Sequence, residues 1–116
     1  MSKNLNDKEL KDQGNKLFAV RNYEAAIDCY TKAILKNPSV PHYYTNRALC
    51  YLNQKRWSQA IQDSKYALER DPNLVKGHFY LGESNDSYFL FNRKAFVSNY
   101  RIPLSCFNKS IIITWH

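Results

Sequence analysis

A repeat of 34 residues constrains the fold of this chain more than any other feature of its sequence. Four residues recur at that spacing (60 − 26 = 34): Ala26, Ile27, Ala33 and Pro38 return as Ala60, Ile61, Ala67 and Pro72. At the same offset, Gly14 is matched by the small Ala48, and Tyr23 is matched by the aromatic Trp57. Sequences with such a period fold into similar units that bury their apolar faces by stacking. We therefore expect a stack of units rather than one irregular core.

Each unit is predicted to be a pair of amphipathic helices. Apolar residues fall at intervals of three and four, which is the spacing of one helix face. In the first unit these residues are Leu10, Leu17 and Phe18, followed by Ala26, Ile27, Tyr30, Ala33 and Ile34. The pattern predicts helices over residues 8–20, 24–36, 41–54 and 58–70.

Turn and stop signals separate these helices. Asn22 lies in the first turn and Lys55–Arg56 in the second. Pro38 and Pro72 end the second helix of each unit, because proline cannot donate the next backbone hydrogen bond. The small residues let the paired helices approach closely, and the large residues between them fill the remaining space.

The period weakens in a third unit that begins at Val75. Its first helix keeps the pattern, since Gly82 falls 34 residues after Ala48 (82 − 48 = 34). Beyond it, Pro103 interrupts the region where a second helix is expected, and the closing SIIITW is β-branched. An alternative splice product, or an intron read as coding sequence, would give such a change. We expect a repeat domain over residues 1–84, with units 7–40, 41–74 and a partial 75–84, and a divergent, irregular or poorly ordered tail over 85–116.

Composition narrows the class of protein. A chain of 116 residues fits one small domain. It contains no apolar run long enough for a membrane span, and its polar N-terminus lacks a secretory signal, so we expect a cytoplasmic location. The net charge of +7 allows an acidic partner. The basic residues are scattered at helical intervals rather than clustered with exposed aromatics, which argues against nucleic-acid binding.

No catalytic or metal site is predicted, and no cofactor is implied. Three cysteines, Cys29, Cys50 and Cys106, form no CxxC pair, which argues against a disulfide framework or a zinc site. Cys29 and Cys50 lie within helical patterns and are interpreted as small buried hydrophobic residues. Three histidines show no metal-ligand spacing, namely His42, His78 and His116.

The repeat resembles the tetratricopeptide repeat. The resemblance lies in small residues at the eighth, twentieth and twenty-seventh places of each unit and in proline at the thirty-second. Counted from Asp7 these are Gly14, Ala26, Ala33 and Pro38, and counted from Pro41 they are Ala48, Ala60, Ala67 and Pro72. The resemblance implies an all-α fold, with two complete helical hairpins and the first helix of a third stacked in a right-handed superhelix. The first helices of such units line a concave groove.

Four polar residues on those first helices resemble the two-carboxylate clamp of chaperone-binding tetratricopeptide domains, which bind the C-terminal EEVD-type tail of Hsp70 and Hsp90. They are Lys11, Asn15, Asn46 and Lys76. A terminal aspartate carries two carboxylates, which lysine charges and asparagine amides can bind. Many clamps of this type hold a fifth basic residue where this chain has Tyr80. Leu49, Phe79 and Tyr80 could instead form an apolar wall for the hydrophobic residue before the acidic tail.

Three strings, ELKDQGNKLF, YYTNRALCYL and VKGHFYLGES, are similar to the N-terminal repeats of the CHIP family of co-chaperone ubiquitin ligases. In that family a helical hairpin that dimerises and a U-box that recruits a ubiquitin-conjugating enzyme follow the repeats. We expect this chain to hold neither and to lack ligase activity by itself.

Three hypotheses remain open. The chain is a truncated chaperone-tail receptor, a fragment of a ubiquitin ligase, or an unstable product whose third unit lacks the helix that caps the stack. The preference between Hsp70 and Hsp90 and the oligomeric state are left open by the sequence.

Overall fold

The computed structural model describes the backbone of residues 4–100 and the side chains of residues 4–90. This part of the chain folds into five α-helices and contains no strand. The helices are α1 (Asp7–Ala19), α2 (Tyr23–Lys36), α3 (Pro41–Asn53), α4 (Trp57–Arg70) and α5 (Val75–Tyr100). The predicted all-α class, with two complete helix pairs and the first helix of a third, is confirmed. The first four helices begin and end within one residue of the predicted ranges.

Local side-chain chemistry sets where the first three helices begin. Asn6 caps α1, since its side-chain oxygen accepts a hydrogen bond from the Glu9 amide at 2.8 Å, and the Glu9 carboxylate accepts one from the Asn6 amide. Asn22 caps α2 by accepting a hydrogen bond from the Ala25 amide, without a reciprocal bond. Pro41 opens α3, where its missing N–H leaves no intrahelical bond unmade.

The turn inside each pair uses a left-handed residue. Arg21 has φ of 63° between α1 and α2, and Lys55 has φ of 60° between α3 and α4. The two positions are 34 residues apart (55 − 21 = 34), so the repeat extends to the backbone conformation of the turn. A non-glycine residue in this region carries local strain.

Small residues occupy the helix crossings and make up much of the core. Ala26, Ala33, Ala48, Ala60 and Ala67 are all fully buried. Larger residues pack around them in two clusters, one centred on Tyr43 and Tyr44 and one on Ile27, Tyr30 and Cys50. Each helix contacts the next along the chain, so the core runs through the stack.

Contacts outside the helix ladders also repeat. The last residue of each second helix donates a hydrogen bond to a carbonyl in the segment before its own first helix, from Lys36 to Leu5 and from Arg70 to Pro38. One turn into the first helices, Tyr44 donates to the Pro38 carbonyl and the His78 imidazole bonds to the Pro72 carbonyl. The Lys36 bond joins the end of the first unit to the segment before it, and the other three contacts join consecutive units.

The C-terminal boundary differs from the sequence-based expectation. Helix α5 continues from Val75 to Tyr100 rather than ending near Ser84. The expected irregular tail therefore has to be corrected for residues 85–100, which extend the helix. The sequence pattern missed this because α5 has no clear apolar face to continue the period. The rest of the predicted tail, residues 101–116, lies outside the described residues.

Candidate peptide-binding groove

The candidate site lies on the first helices of the three units. Helix α1 contacts α3, and α3 contacts α5, so these helices lie side by side. Each carries at least one of the polar residues predicted from the sequence. Lys11 and Asn15 lie on α1, Asn46 on α3 and Lys76 on α5. We call the surface that carries these four residues the groove.

Helix α1 contributes two residues separated by one helical turn. The Lys11 side chain is about one-third exposed, and its Nζ lies 3.6 Å from a carboxylate oxygen of its neighbour Asp12. An exposed ion pair of this kind contributes little to stability, so the Lys11 ammonium group can exchange it for another carboxylate. Asn15 is exposed, and its Oδ1 accepts a hydrogen bond from the Tyr30 hydroxyl at 2.6 Å.

The other two polar residues of the groove have no side-chain partner among residues 4–90. Asn46 is half-buried on α3 and Lys76 is exposed on α5. Within residues 4–90, neither side chain makes a hydrogen bond or an ion pair. Among the described residues, the two N–H donors of the Asn46 amide and the Lys76 ammonium group are therefore free to bind an acceptor that approaches α3 and α5.

The three residues predicted to form an apolar wall differ in exposure. Leu49 is half-buried on α3, and Phe79 is 44% exposed on α5. The Phe79 and Tyr80 rings meet edge to face with 5.8 Å between their centroids. Burial raises the pKa of the Tyr80 phenol, which therefore stays neutral at physiological pH. The structure thus brings Phe79 and Tyr80 into contact, while Leu49 lies on the neighbouring first helix.

Tyr30 lies on α2 and contacts the groove residue Asn15 through its hydroxyl. From the sequence it was assigned only to the apolar face of its helix. Its side chain is 2% exposed, and its ring lies against the backbone of α1 at Gly14. A Cβ atom at Gly14 would come within 2.6 Å of the Tyr30 ring. The period of the repeat indicated a small residue at Gly14, but no sequence signal indicated that the tyrosine hydroxyl would reach Asn15.

A buried ion pair behind α3 was also missed. The Arg47 guanidinium donates two hydrogen bonds to Asp63 on α4, at 2.8 and 2.7 Å, and a third to the Thr31 hydroxyl on α2 at 3.1 Å. Burial raises the pKa of the Asp63 carboxyl, and the two bonds from Arg47 oppose that rise. Arg47 follows Asn46 directly in the chain. The network therefore holds α3 against α2 and α4 next to the groove residue Asn46.

Two cysteines of the described residues, Cys29 and Cys50, are structural. Cys29 is 8% exposed and Cys50 is fully buried, which confirms their interpretation as small buried hydrophobic residues. Burial raises the pKa of the Cys50 thiol to about 12 and also raises that of Cys29. In the part of the chain that the structure describes, no cluster of residues could hold a metal ion, and no helix is long and apolar enough to cross a membrane.

Helix pairs packed on one another with a fixed period define a helical-repeat protein. A tetratricopeptide repeat family model matches residues 11–75, which is more than half of the chain. The chain therefore belongs to the tetratricopeptide repeat family.

Two curated relatives are similar over the repeats. The chain is 45% identical over 73 residues to the E3 ubiquitin-protein ligase CHIP of Arabidopsis thaliana, covering 63% of this chain and 26% of that protein. It is 57% identical over 60 residues to Dynein axonemal assembly factor 4 of Rattus norvegicus, covering 52% of this chain and 14% of the relative. The chain thus spans about a quarter or less of the length of these relatives.

A solved structure matches the fold. The first TPR of Spaghetti (RPAP3), bound to the HSP90 peptide SRMEEVD, superposes with a TM-score of 0.70 at 33% sequence identity. The match covers 71% of this chain and 65% of that one.

Proposed function

We propose that this chain is a co-chaperone adaptor module that binds the acidic EEVD-type C-terminal tail of Hsp70 or Hsp90 in the cytoplasm. The observation that carries the proposal is the row of donors along α1, α3 and α5, in which Asn46 and Lys76 have no partner among the described side chains. The similarity to a repeat domain bound to an EEVD peptide supports the same ligand class.

The chemistry of the ligand fits this row. A C-terminal aspartate presents its side-chain carboxylate and its α-carboxylate within a few bonds of each other. Lys11 and Lys76 supply charge from the two ends of the row, and the Asn15 and Asn46 amides supply directed hydrogen bonds. Helices α1, α3 and α5 must all be present to hold such a ligand.

The apolar residues suit the neighbouring position of the tail. An EEVD tail has a valine directly before its terminal aspartate. Phe79 and Tyr80 present aromatic edges on α5, beside the exposed Lys76. In this proposal these rings contact the apolar part of the tail, and the neutral Tyr80 takes the place of a fifth cation.

Calorimetry with a peptide ending in EEVD tests the proposal. Lys76→Ala should weaken affinity at least about tenfold, because a charge-assisted hydrogen bond contributes about 1.5–3 kcal/mol. Lys65→Ala is the matched control, since it removes the same charge from an exposed position on α4. It should change affinity by less than about twofold.

The state of the terminal carboxylate provides a second test. A peptide amidated at its C-terminus should bind far more weakly, and added salt should weaken the binding of the free acid. Equal affinity for both peptides, or equal loss in Lys76→Ala and Lys65→Ala, would contradict the proposed clamp.

A second candidate is that the chain is a fragment of a CHIP-type E3 ubiquitin ligase. Its 45% identity to CHIP favours this reading, whereas the similarity to Dynein axonemal assembly factor 4 allows other adaptors. The gene provides the test. A transcript that continues past residue 84 with a Tyr/Trp-x-x-Ala-Ile helix and then a U-box would support it, and transcripts without a U-box would reject it.

A further inference from the structure

We infer that Tyr30 is a positioning residue of the groove, whose hydroxyl holds the Asn15 amide so that its NH₂ group faces a bound carboxylate. The inference rests on the proposed function and adds a requirement to it. An asparagine amide has a donor end and an acceptor end of nearly equal size. Only the donor end attracts a carboxylate, so an amide turned by half a rotation would repel the ligand.

The hydrogen bond itself distinguishes the two orientations. The Tyr30 oxygen lies 2.6 Å from Asn15 Oδ1, which is normal for a hydroxyl donating to oxygen and short for an amide N–H. The Tyr30 side chain is 2% exposed, and this is its one hydrogen bond within residues 4–90. A buried hydroxyl proton without an acceptor would be costly, so the hydroxyl donates to Oδ1.

The remaining end of the amide is then available. Asn15 is exposed, and its Nδ2 has no partner among the side chains that the structure describes. Burial raises the pKa of the Tyr30 phenol, which keeps its proton throughout the physiological range. The orientation of the Asn15 amide is therefore set before any ligand arrives, and binding need not pay for ordering it.

Glycine makes this contact possible. The Tyr30 ring occupies space that a Cβ at Gly14 would enter, 2.6 Å from Cε1. The absent side chain lets the ring lie on the α1 backbone, which brings its hydroxyl to the next residue, Asn15.

The second unit lacks this arrangement. Its equivalent positions hold Ala48 and Ser64 (14 + 34 and 30 + 34), and the Ser64 hydroxyl donates to the Ala60 carbonyl within its own helix. The position equivalent to Asn15 holds Leu49 (15 + 34), which has no side-chain amide to orient. The device is therefore a property of the first unit.

Tyr30→Phe tests the inference because it removes the hydroxyl and keeps the ring packed on Gly14. The affinity for an EEVD peptide should fall about three- to tenfold. Tyr43→Phe is the matched control, since Tyr43 is equally buried and donates to Asp7 rather than to a groove amide. Its affinity should stay within about 1.5-fold of the wild type.

A double-mutant cycle separates positioning from a general structural role. In an Asn15→Ala background, Tyr30→Phe should have no further effect on affinity. An equal loss in both backgrounds, or no loss in either, overturns the inference. Asn15→Asp provides an independent variant, because it keeps an acceptor for Tyr30 but presents oxygen to the peptide. It should bind at least as weakly as Asn15→Ala, and wild-type affinity would overturn the inference.

A measurement without peptide distinguishes failure of this inference from failure of the proposed function. The ¹⁵N order parameter of Asn15 Nδ2 should be high in the free wild type and fall in Tyr30→Phe. Unchanged order in Tyr30→Phe overturns the role of the hydroxyl, whatever the ligand. If the wild type does not bind EEVD peptides, the proposed function is rejected. A lower Asn15 Nδ2 order parameter in Tyr30→Phe would still support Tyr30 as the residue that holds Asn15.

Discussion

At the scale of single residues, the Arg47–Asp63 pair provides the clearest stability test. Asp63 is 2% exposed, so removing Arg47 would leave a carboxylate buried without its cation. We expect Arg47→Ala to lower the free energy of unfolding by about 3–5 kcal/mol in urea denaturation. The apolar double variant Arg47→Met with Asp63→Leu should lose much less, because neither charge remains. Equal losses in the two proteins would show that packing, not the buried charge, controls stability here.

Two glycines offer a second comparison at this scale. A Cβ at Gly14 would meet the Tyr30 ring, which is held in place by packing and by Asn15. We expect Gly14→Ala to lower the free energy of unfolding by about 1–3 kcal/mol. A Cβ at Gly77 would meet mainly the flexible end of Leu68. Gly77→Ala should therefore cost less, with part of the cost offset by higher helix propensity. Thermal denaturation of both variants checks the order, and a larger loss at Gly77 would contradict it.

At the scale of helices, most of the fold could be predicted from the sequence, because the first four helices have both a period and end signals. Ala26 and Ala33 recur with the period and indicate that two helices pack closely at these positions. Pro38 ends a helix because proline has no backbone N–H to donate. The continuation of α5 to Tyr100 could not be predicted, since no periodic apolar face marks it. The polar residues of the groove were placed on their helices by the resemblance, and their role as a clamp stays a prediction.

The contacts that hold the groove were beyond sequence reasoning for a physical reason. Both the Tyr30–Asn15 bond and the Arg47–Asp63 pair depend on how far one helix is rotated and shifted against another. A hydrophobic period fixes which face of a helix is buried, but it does not fix which hydroxyl or carboxylate a side chain reaches.

The turns give a prediction at the scale of elements. Lys55 is exposed and lies in the left-handed region, where a Cβ is disfavoured. Lys55→Gly should leave the free energy of unfolding unchanged or raise it by about 0.5 kcal/mol, since relief of strain exceeds the entropy that glycine loses. Lys65→Gly, in the middle of α4, should lower it by about 1 kcal/mol. Urea denaturation of the two variants checks this, and a change of the same sign at both lysines would contradict the assigned strain.

At the scale of the whole molecule, acid should loosen the first unit from the second. Asp7 on α1 accepts a hydrogen bond from Tyr43 on α3 at 2.6 Å, and one from Asn37. The Tyr43 bond holds the pKa of Asp7 below its ordinary value of 3.8. A carboxyl whose pKa is lower when folded stabilises the protein fully above that ordinary value and loses this effect as the pH falls through the folded pKa.

Asp7→Asn isolates this contribution. The wild type should lose thermal stability between pH 5 and pH 2 more steeply than Asp7→Asn, whose amide does not titrate there. Asp12→Asn is the control, because Asp12 is exposed on the same helix and its ion pair with Lys11 is of a kind that contributes little to stability. Parallel pH profiles for the wild type and Asp7→Asn would contradict the assigned link between α1 and α3.

The contacts of α3 with both α1 and α5 have a consequence for how ligand binding and unfolding are related. Repeat stacks can come apart one junction at a time, so partial unfolding would leave intact pieces. A peptide tail that spans three helices would behave differently. Such a tail would bind tightly only when all three first helices are packed together, because a single broken junction would separate Lys11 from Lys76. Affinity would then drop all at once while helix content fell in steps, and the bound tail would protect the junction that breaks first.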